Sequence, residues 1–216
     1  MYNNSKEQES KSRLASMGAL VFKELRSARE VEAFLDRVEN YTSVRLPDSY
    51  VAKSRIIGVY QGAKLVSGYM LITKPEFRSI EFLPDQVREE HNVLQKELNE
   101  FVEVNGMWIG PGVKSPREQF NIWLMLMRDV LLCRKKYLLL MSDKRNLTIK
   151  RIHSLTNPTI LYEGPPRLFD GAESHKEIRV GYTTRLSVME NLPLYINEYK
   201  IREARASSRR ISRHSR

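Results

Sequence analysis

The chain has 216 residues, of which 41% are hydrophobic and 29% charged, and its net charge is +10. This length fits one domain with terminal extensions, and no stretch approaches the roughly 18 uninterrupted apolar residues of a membrane-spanning helix. The first residues lack the apolar core of a secretory signal, and the single cysteine, Cys133, suits a reducing compartment. We therefore expect a cytoplasmic protein.

The first half of the chain predicts a strand, a helix and a hairpin. Residues 1–17 are rich in Ser, Asn, Lys and Glu, which predicts a disordered segment. A strand is expected at residues 19–25 and a helix at residues 27–41, where Ser27 and Glu30 have the spacing of a capping box. Two apolar runs around a short turn with glycine predict a hairpin in residues 54–74. Residues 79–100 predict a variable connection with one helix.

The second half alternates strands with helices. A strand is expected at residues 101–109 and a long helix after it, with Ser115 as cap, Pro116 at the first position and Glu118 completing a capping box. A strand at residues 137–141, a shorter helix and two closing strands follow. This order predicts an α/β fold, more narrowly a mixed α+β sheet with flanking helices, in residues 18–190. The long helix has an apolar face made of Phe120, Trp123, Leu124, Met127, Val130 and Leu131.

Residues 191–216 form a basic C-terminal segment. From Lys200 to Arg216, seven Lys and Arg residues stand against Glu203 alone. We expect a helix with Leu194, Tyr195 and Tyr199, followed by an Arg/Ser-rich tail. The tail is either a solvated end or a surface that attracts an acidic protein, an anionic membrane or nucleic acid. Nucleic acid is the least favoured partner, because the sequence has no stacking-aromatic motif or recognition helix.

The order of elements over roughly residues 19–188 resembles the GCN5-related N-acetyltransferase (GNAT) superfamily. The stretch KLVSGYMLI, with Gly68, resembles the family's third strand, and FVEVNGMWIGPGVKSPREQFNIWLML resembles its central strand, loop and long helix. Residues 146–157 resemble its asparagine-led helix, with His153 where the family often has tyrosine. The resemblance implies a GNAT-like acyl-CoA N-acyltransferase fold.

The resemblance also implies a donor, acetyl-CoA or a longer acyl-CoA, held where the central strand meets the long helix. The family's phosphate loop has glycines where this chain has Phe120 and Ile122, so two interpretations stay open. Either Lys114 and Arg117 hold the phosphate, or the coenzyme pocket is lost. A third is an acyl group on an acidic acyl carrier protein, which would suit a basic chain. The residues expected at the donor site are Ile109, Gly110, Gly112, Val113, Lys114, Arg117 and Asn146.

Direct attack of an amine on the thioester, as the family performs it, needs a base and an acid. Glu103 resembles the strand glutamate that is the base in some members, and strand alternation predicts that Glu103, Asn105 and Met107 share a face. His153 is the candidate acid, because an imidazole pKa is near 6.5. The alternatives are an ordinary carboxylate at a strand end and a surface histidine. No spacing suggests a metal site.

We therefore predict an N-acyltransferase that takes its acyl group from acyl-CoA or acyl carrier protein and gives it to an amine of a small molecule or a protein. The alternative is a catalytically silent GNAT-fold binding or assembly protein that acts through its basic C-terminal segment. The enzymatic interpretation requires two neighbouring parallel strands to separate and admit the thioester.

Overall fold

A computed structural model of the protein describes residues 19–167 and 176–214. The predicted disorder of residues 1–17 and the loop residues 168–175 lie outside this part of the chain. The strands are β1 (Leu20–Glu24), β2 (Ser54–Gln61), β3 (Lys64–Ile72), β4 (Phe101–Ile109), β5 (Tyr137–Asp143), β6 (Thr159–Gly164) and β7 (Ile178–Thr184).

The helices lie between and after these strands. They are α1 (Ala28–Thr42), α2 (Asp48–Ala52), α3 (Arg78–Glu81), α4 (Asp85–Glu90), α5 (Asn92–Lys96), α6 (Pro116–Leu132), α7 (Leu147–Ser154), α8 (Arg185–Glu190) and α9 (Leu192–His214), with a 3₁₀ turn at Leu98–Glu100. Within the described ranges, no helix is long and apolar enough to cross a membrane.

The strands form one mixed sheet in the order β1-β2-β3-β4-β5-β7-β6. Neighbouring strands are antiparallel except β4 and β5, which are parallel. The predicted mixed sheet with flanking helices is confirmed. It places the carboxyl ends of β4 and β5 at the same edge.

Local sequence accounts for the first elements. At the start of α1 the Ser27 hydroxyl accepts a hydrogen bond from the N–H of Glu30 at 3.3 Å, and the Glu30 carboxylate accepts one from the N–H of Ser27 at 3.5 Å. The predicted capping box is confirmed, and it satisfies two N–H groups that a helix start leaves free. Between β2 and β3, Gly62 has φ +61°, a conformation that glycine adopts without strain.

The single helix predicted for residues 79–100 is wrong. The chain forms α3, α4, α5 and a 3₁₀ turn instead. Pro84 disfavours a helical conformation at Leu83, which ends the first helix. His91 has an extended backbone, with φ −96° and ψ 100°, which separates α4 from α5.

Helices cover both faces of the sheet. One face packs on α1, α2 and the α3 region, with a core that includes Phe34, Val38, Tyr50, Phe77, Phe101 and Leu139. The opposite face packs on α6, with a core that includes Tyr69, Leu71, Val102, Leu126, Val130 and Leu138. We call these the α1 face and the α6 face.

Only part of the apolar face predicted for α6 packs against the sheet. Ile122 and Leu126 are buried toward the sheet together with Val130. Phe120 and Leu124 line a groove shared with α7 and α9 instead. The prediction failed there because α6 carries two apolar stripes, one for the sheet and one for the C-terminal helix.

Candidate functional site

The parallel strands β4 and β5 separate soon after they meet. Their register covers Phe101 with Tyr137, Val102 with Leu138, and Glu103 with Leu139. These six residues are buried, whereas the next residues on each strand, Val104, Asn105, Leu140 and Met141, are only half-buried. The loss of pairing and the gain in exposure coincide on both strands. The pairing of the two strands therefore ends where the prediction requires separation. We call the region between the residues that come next the gap between β4 and β5.

A β-bulge changes the direction of the side chains in the half of β4 that borders the gap. Gly106 has φ +57°, and the register with β3 shifts opposite this point. Asn105 still points to the α1 face, where it contacts Tyr50. Met107 packs on the α6 face. The expectation that Glu103, Asn105 and Met107 share a face is therefore wrong for Met107, because a bulge adds a residue and breaks the alternation.

Glu103 lies on the α1 face with no exposed surface. Its Oε2 accepts hydrogen bonds from the Tyr50 hydroxyl at 2.6 Å and the N–H of Arg78 at 3.1 Å. Its Oε1 accepts from the N–H of Ser79 at 2.7 Å and from the Ser79 hydroxyl. The Asn105 side-chain amide in turn donates to the Tyr50 hydroxyl at 3.0 Å. The carboxylate thus meets donors on both oxygens, and Asn105 and Tyr50 link it to the gap.

Burial shifts the titration of this network. It raises the pKa of Glu103, and the hydrogen bonds from Ser79 and Tyr50 oppose the shift. It also raises the pKa of Tyr50, and the neighbouring carboxylate of Glu103 adds to that shift. Tyr50 therefore keeps its proton at neutral pH and donates it to Glu103.

His153 occupies a separate recess from Glu103. It is half-buried on α7 and borders a small recess with Leu140, Arg179 and Gly181. None of the residues that line this recess is in β4, and Leu140 packs on the α6 face. Burial, followed by the positive charge of Arg179, lowers the pKa of His153 to about 4. The imidazole is therefore neutral at pH 7, and the two predicted catalytic residues lie on opposite faces of the sheet.

Packing against the sheet fixes the loop after β4. The N–H of Gly110 donates to the carbonyl of Val66 at 2.8 Å, and the N–H of Val113 donates to the carbonyl of Gly110 at 3.1 Å. Val113 is buried beside Val66 and Ile122, and Ile109 packs against the same cluster. A Cβ on Gly110 would lie 2.8 Å from the Val66 carbonyl oxygen, so this position requires glycine. These residues anchor the loop through their packing and backbone.

The start of α6 is basic and open to solvent. Lys114 and Arg117 are both exposed there. Gly112 is also exposed, and a Cβ on it would meet nothing within 4 Å, so packing does not require glycine at that position. The first N–H groups of a helix lack partners within it and favour anions. Two cations therefore flank a helix start of the kind that binds phosphate.

The predicted capping box of α6 is wrong. Ser115 is at the cap position but makes no capping hydrogen bond with its side chain. The Glu118 carboxylate accepts a hydrogen bond from the Gln61 side-chain amide at 3.3 Å instead. Pro116 does occupy the first helical position, as predicted. This bond holds Glu118 toward Gln61, the last residue of β2.

Asn146 marks the start of α7. Its Oδ1 accepts a hydrogen bond from the N–H of Ile149 at 3.1 Å, which caps the helix. Because β4 and β5 are parallel, the helix starts that follow them lie at one edge of the sheet. That edge therefore carries Lys114, Arg117 and Asn146. The side-chain oxygen of Asn146 is already used to cap α7.

The C-terminal helix α9 packs beside this edge. The ring of Tyr199 stacks on Phe120 at 4.2 Å with an interplanar angle of 14°. The Tyr195 hydroxyl donates to the carbonyl of Ile152 at 3.2 Å. Tyr199 also lines a groove with Pro116 and Gln119, which places α9 beside the first turn of α6. The predicted helix with Tyr195 and Tyr199 is therefore docked on the domain.

The sequence did not single out two members of the Glu103 network. Tyr50 is on the five-residue helix α2, and Ser79 is on the four-residue helix α3. Both are far from Glu103 in the chain, by 53 and 24 residues. The only local signal was an aromatic residue in a polar connection. In the described part of the chain, no group of three His, Cys, Asp or Glu residues could hold a metal ion.

The sheet order, the parallel pair and the gap define the fold of the GCN5-related N-acetyltransferases, as the sequence resemblance predicted. No family model and no curated protein matches the sequence. Similar solved structures include an N-acyl amino acid synthase from uncultured soil microbes, with 13% identity, 80% of this chain and 94% of that chain covered, and a TM-score of 0.58.

Two further neighbours have the same fold. A GCN5-related N-acetyltransferase from Brucella melitensis has 10% identity, with 84% of this chain and 81% of that chain covered and a TM-score of 0.50. The AHL synthase LasI has 11% identity, with 76% and 90% covered and a TM-score of 0.51. At these identities the likeness establishes the fold.

Proposed function

We propose that this protein is an N-acyltransferase that moves an acyl group from a thioester to an amine. The observation that carries the proposal is the early separation of β4 and β5 after Glu103 and Leu139. On the side of the gap, the described main chain of β4 beyond Glu103 pairs with no strand. The N–H of Gly106 donates to the Asn105 side chain at 2.6 Å, so we assign the thioester carbonyl to the other N–H groups on this side. Donors aimed at a developing oxyanion are often the largest single contribution to acyl transfer.

In the proposed reaction, the amine nitrogen attacks the thioester carbon, a C–N bond forms and the C–S bond breaks. The amine loses one proton and the thiolate gains one. We assign the first proton to Glu103, through Tyr50, because the carboxylate is fully buried and has no direct access to an amine. Tyr50 passes its proton to Glu103 and takes one from the amine side. The raised pKa makes Glu103 a stronger base than an exposed carboxylate.

The thiolate proton has a different source. With a pKa of about 4, His153 is almost entirely in its neutral form at pH 7. Its recess also has no lining residue in β4. We therefore assign this proton to water in the gap. The acid role of His153 stays a prediction of the sequence.

We propose that Lys114, Arg117 and the first N–H groups of α6 hold the donor phosphate. Coenzyme A and the phosphopantetheine arm of a carrier protein both present a phosphate and a thioester. Tyr199 on Phe120 covers one side of the helix start, which favours the smaller arm without a nucleotide. A net charge of +10 also suits an acidic carrier protein. The preferred donor is thus acyl carrier protein, with acetyl-CoA or a longer acyl-CoA as the alternative.

Calorimetric titration separates these donors. The purified protein would be titrated with acetyl-CoA, with longer acyl-CoAs and with an acyl carrier protein, and amine acceptors would then be screened for N-acylated products by mass spectrometry. Heat with the carrier protein and none with the acyl-CoAs supports the preferred donor, and heat with acyl-CoA supports the alternative. No heat from any donor at millimolar concentration contradicts the acyltransferase proposal.

A second candidate is a catalytically silent binding or assembly protein. The observation that favours it is the Glu103 carboxylate, whose two oxygens already accept four hydrogen bonds. A carboxylate that accepts this many hydrogen bonds can have a structural role, which is to hold α2 and α3 against the sheet. In this candidate, the seven basic residues from Lys200 to Arg216 recruit the partner.

Charge removal tests the second candidate without uncovering α6. The seven Lys and Arg residues of 200–216 would be replaced by glutamine, which leaves the contacts of Tyr195 and Tyr199 intact. Loss of partner capture from an affinity assay, with no donor binding in either protein, supports the binding protein. Unchanged donor binding and acyl transfer in the variant support the enzyme.

A further inference from the structure

A cavity lies between α6, α7 and α9, on the outer side of α6. Its volume is about 130 Å³. Phe120, Trp123 and Leu124 form its α6 wall, Leu155 its α7 wall and Tyr195 part of its α9 wall. Among the residues that the structure describes, no strand residue lines it. It is therefore separate from the gap between β4 and β5.

The polar side chains around this cavity are engaged elsewhere. The Tyr195 hydroxyl donates to Ile152, and the Gln119 amide donates to the carbonyl of Val113 at 2.9 Å. The Glu198 carboxylate pairs with Arg151 at 2.8 Å. A guest in the cavity would therefore meet mainly hydrocarbon and aromatic carbon. A polar guest would find few hydrogen-bond partners among these side chains, so an apolar guest is favoured.

We infer that this cavity is a binding site for a small neutral hydrocarbon group. Apolar cavities of roughly 150 Å³ in proteins bind benzene or xenon. This site has a similar volume, although it is open to solvent on one side. The shared chemistry is an uncharged apolar group, which an aromatic ring or the short end of an alkyl chain can supply. This inference does not rest on the proposed acyl transfer.

Occupation of the cavity is coupled to the docking of α9. Leu192 and Tyr195 come from α9, so a guest adds contacts that exist only when α9 is in place. A ligand that binds one state and not another shifts the equilibrium toward the first. A bound hydrocarbon therefore stabilises α9 on the domain, beside the start of α6.

The experiment titrates the full-length protein with benzene and with pentane, and follows methyl groups by NMR. We expect shifts at the methyls of Leu124, Ile152 and Leu155 and none at Ile122, which faces the sheet. Shifts with benzene indicate that the site accepts an aromatic ring, and shifts with pentane indicate that it accepts an alkyl chain. No shift with either probe near its solubility limit, or shifts at Ile122 of the same size, would overturn the inference.

Two variants give a second readout. Leu155→Phe fills the cavity and Leu155→Ala enlarges it, and Leu155 ends α7 at a half-buried position that tolerates change. At ten times its Kd, benzene should raise the Tm of the native protein by about 3 °C. The rise should vanish in Leu155→Phe and persist in Leu155→Ala. Equal rises in all three proteins contradict the site. If Leu155→Phe does not fold, the NMR comparison decides.

Discussion

The two halves of β4 differ in strand pairing, in backbone regularity and in burial. From Phe101 to Glu103 the strand is buried and paired with β5, and Glu103 also pairs with Ile72 of β3. From Val104 to Ile109 it is paired with β3 alone, carries a bulge and is partly exposed. The first half secures the fold, because its polar side chain is saturated by four donors. In the second half, β4 has lost its hydrogen bonds to β5, and its partly exposed surface is where we place the reaction.

The largest expected effect comes from breaking the buried half. Glu103→Leu removes the acceptor of four buried hydrogen bonds. Each unsatisfied donor costs about 1–3 kcal/mol, so we expect a loss of at least about 3 kcal/mol in the free energy of unfolding. Urea unfolding measures it. Val104→Ala, one residue on in the partly exposed half, should cost about 1 kcal/mol; equal losses would erase the distinction between the halves.

Engineered disulfides test the separation itself. In a Cys133→Ser background, Val102→Cys with Leu138→Cys should crosslink during oxidative refolding, because these residues are register partners. The crosslink should add about 2–4 kcal/mol to the free energy of unfolding. Val104→Cys with Leu140→Cys, two residues on, should stay reduced. Thiol counting by mass spectrometry measures both, and crosslinking of the second pair to the same extent would show that the strands remain adjacent.

The pH dependence of stability tests the environment of His153 beside β5. Its pKa in the folded state is about 4, below its ordinary value of about 6.5. The folded state therefore binds fewer protons than the unfolded state between these values, and stability falls as pH drops from about 6.5 to 4. His153→Gln should reduce this loss by about 1–2 kcal/mol, because the imidazole is half-buried and partly solvated.

The control for His153 is its charged neighbour. Arg179→Gln removes the second cause of the low pKa, so the pH-dependent loss should become smaller but remain. Urea unfolding at pH 4.5 and pH 7 measures both variants. An unchanged loss in His153→Gln would assign the pH dependence to other groups.

The smallest effect is expected at the start of α6. Lys114→Ala with Arg117→Ala should weaken binding of a phosphopantetheine donor by about tenfold, with little change in Tm, because both side chains are exposed. The weakening should shrink as salt is raised. Calorimetry with the donor measures it, and Arg37→Ala on α1 is the matched control for loss of an exposed charge. A donor without phosphate should bind both proteins equally.

Local patterns predicted the elements of the fold, and distant contacts decided the site. The capping box of α1 was readable because Ser27 and Glu30 are three residues apart. The same spacing failed at α6, where Gln61, 57 residues away in the chain, binds Glu118. Spacing describes what a side chain can reach within its own helix. It does not describe which partner the tertiary fold brings closer.

The bulge in β4 shows a second limit of the sequence. Alternation places Met107 with Glu103, but Gly106 adopts φ +57° and shifts the register. The Asn105-Gly106 pair was the available signal, since both residue types tolerate that conformation. The contact of Tyr50 with Glu103 had no comparable signal, because it joins a short helix to a strand 53 residues away.

Titration of isotopically labelled protein with acetyl-pantetheine, followed by amide chemical shifts, tests directly whether the gap admits a thioester. We predict saturable changes on both sides of the gap, at Val104 and Met107 in β4 and at Leu140 and Met141 in β5. Saturating ligand that leaves the amides of both strands unchanged would contradict this prediction.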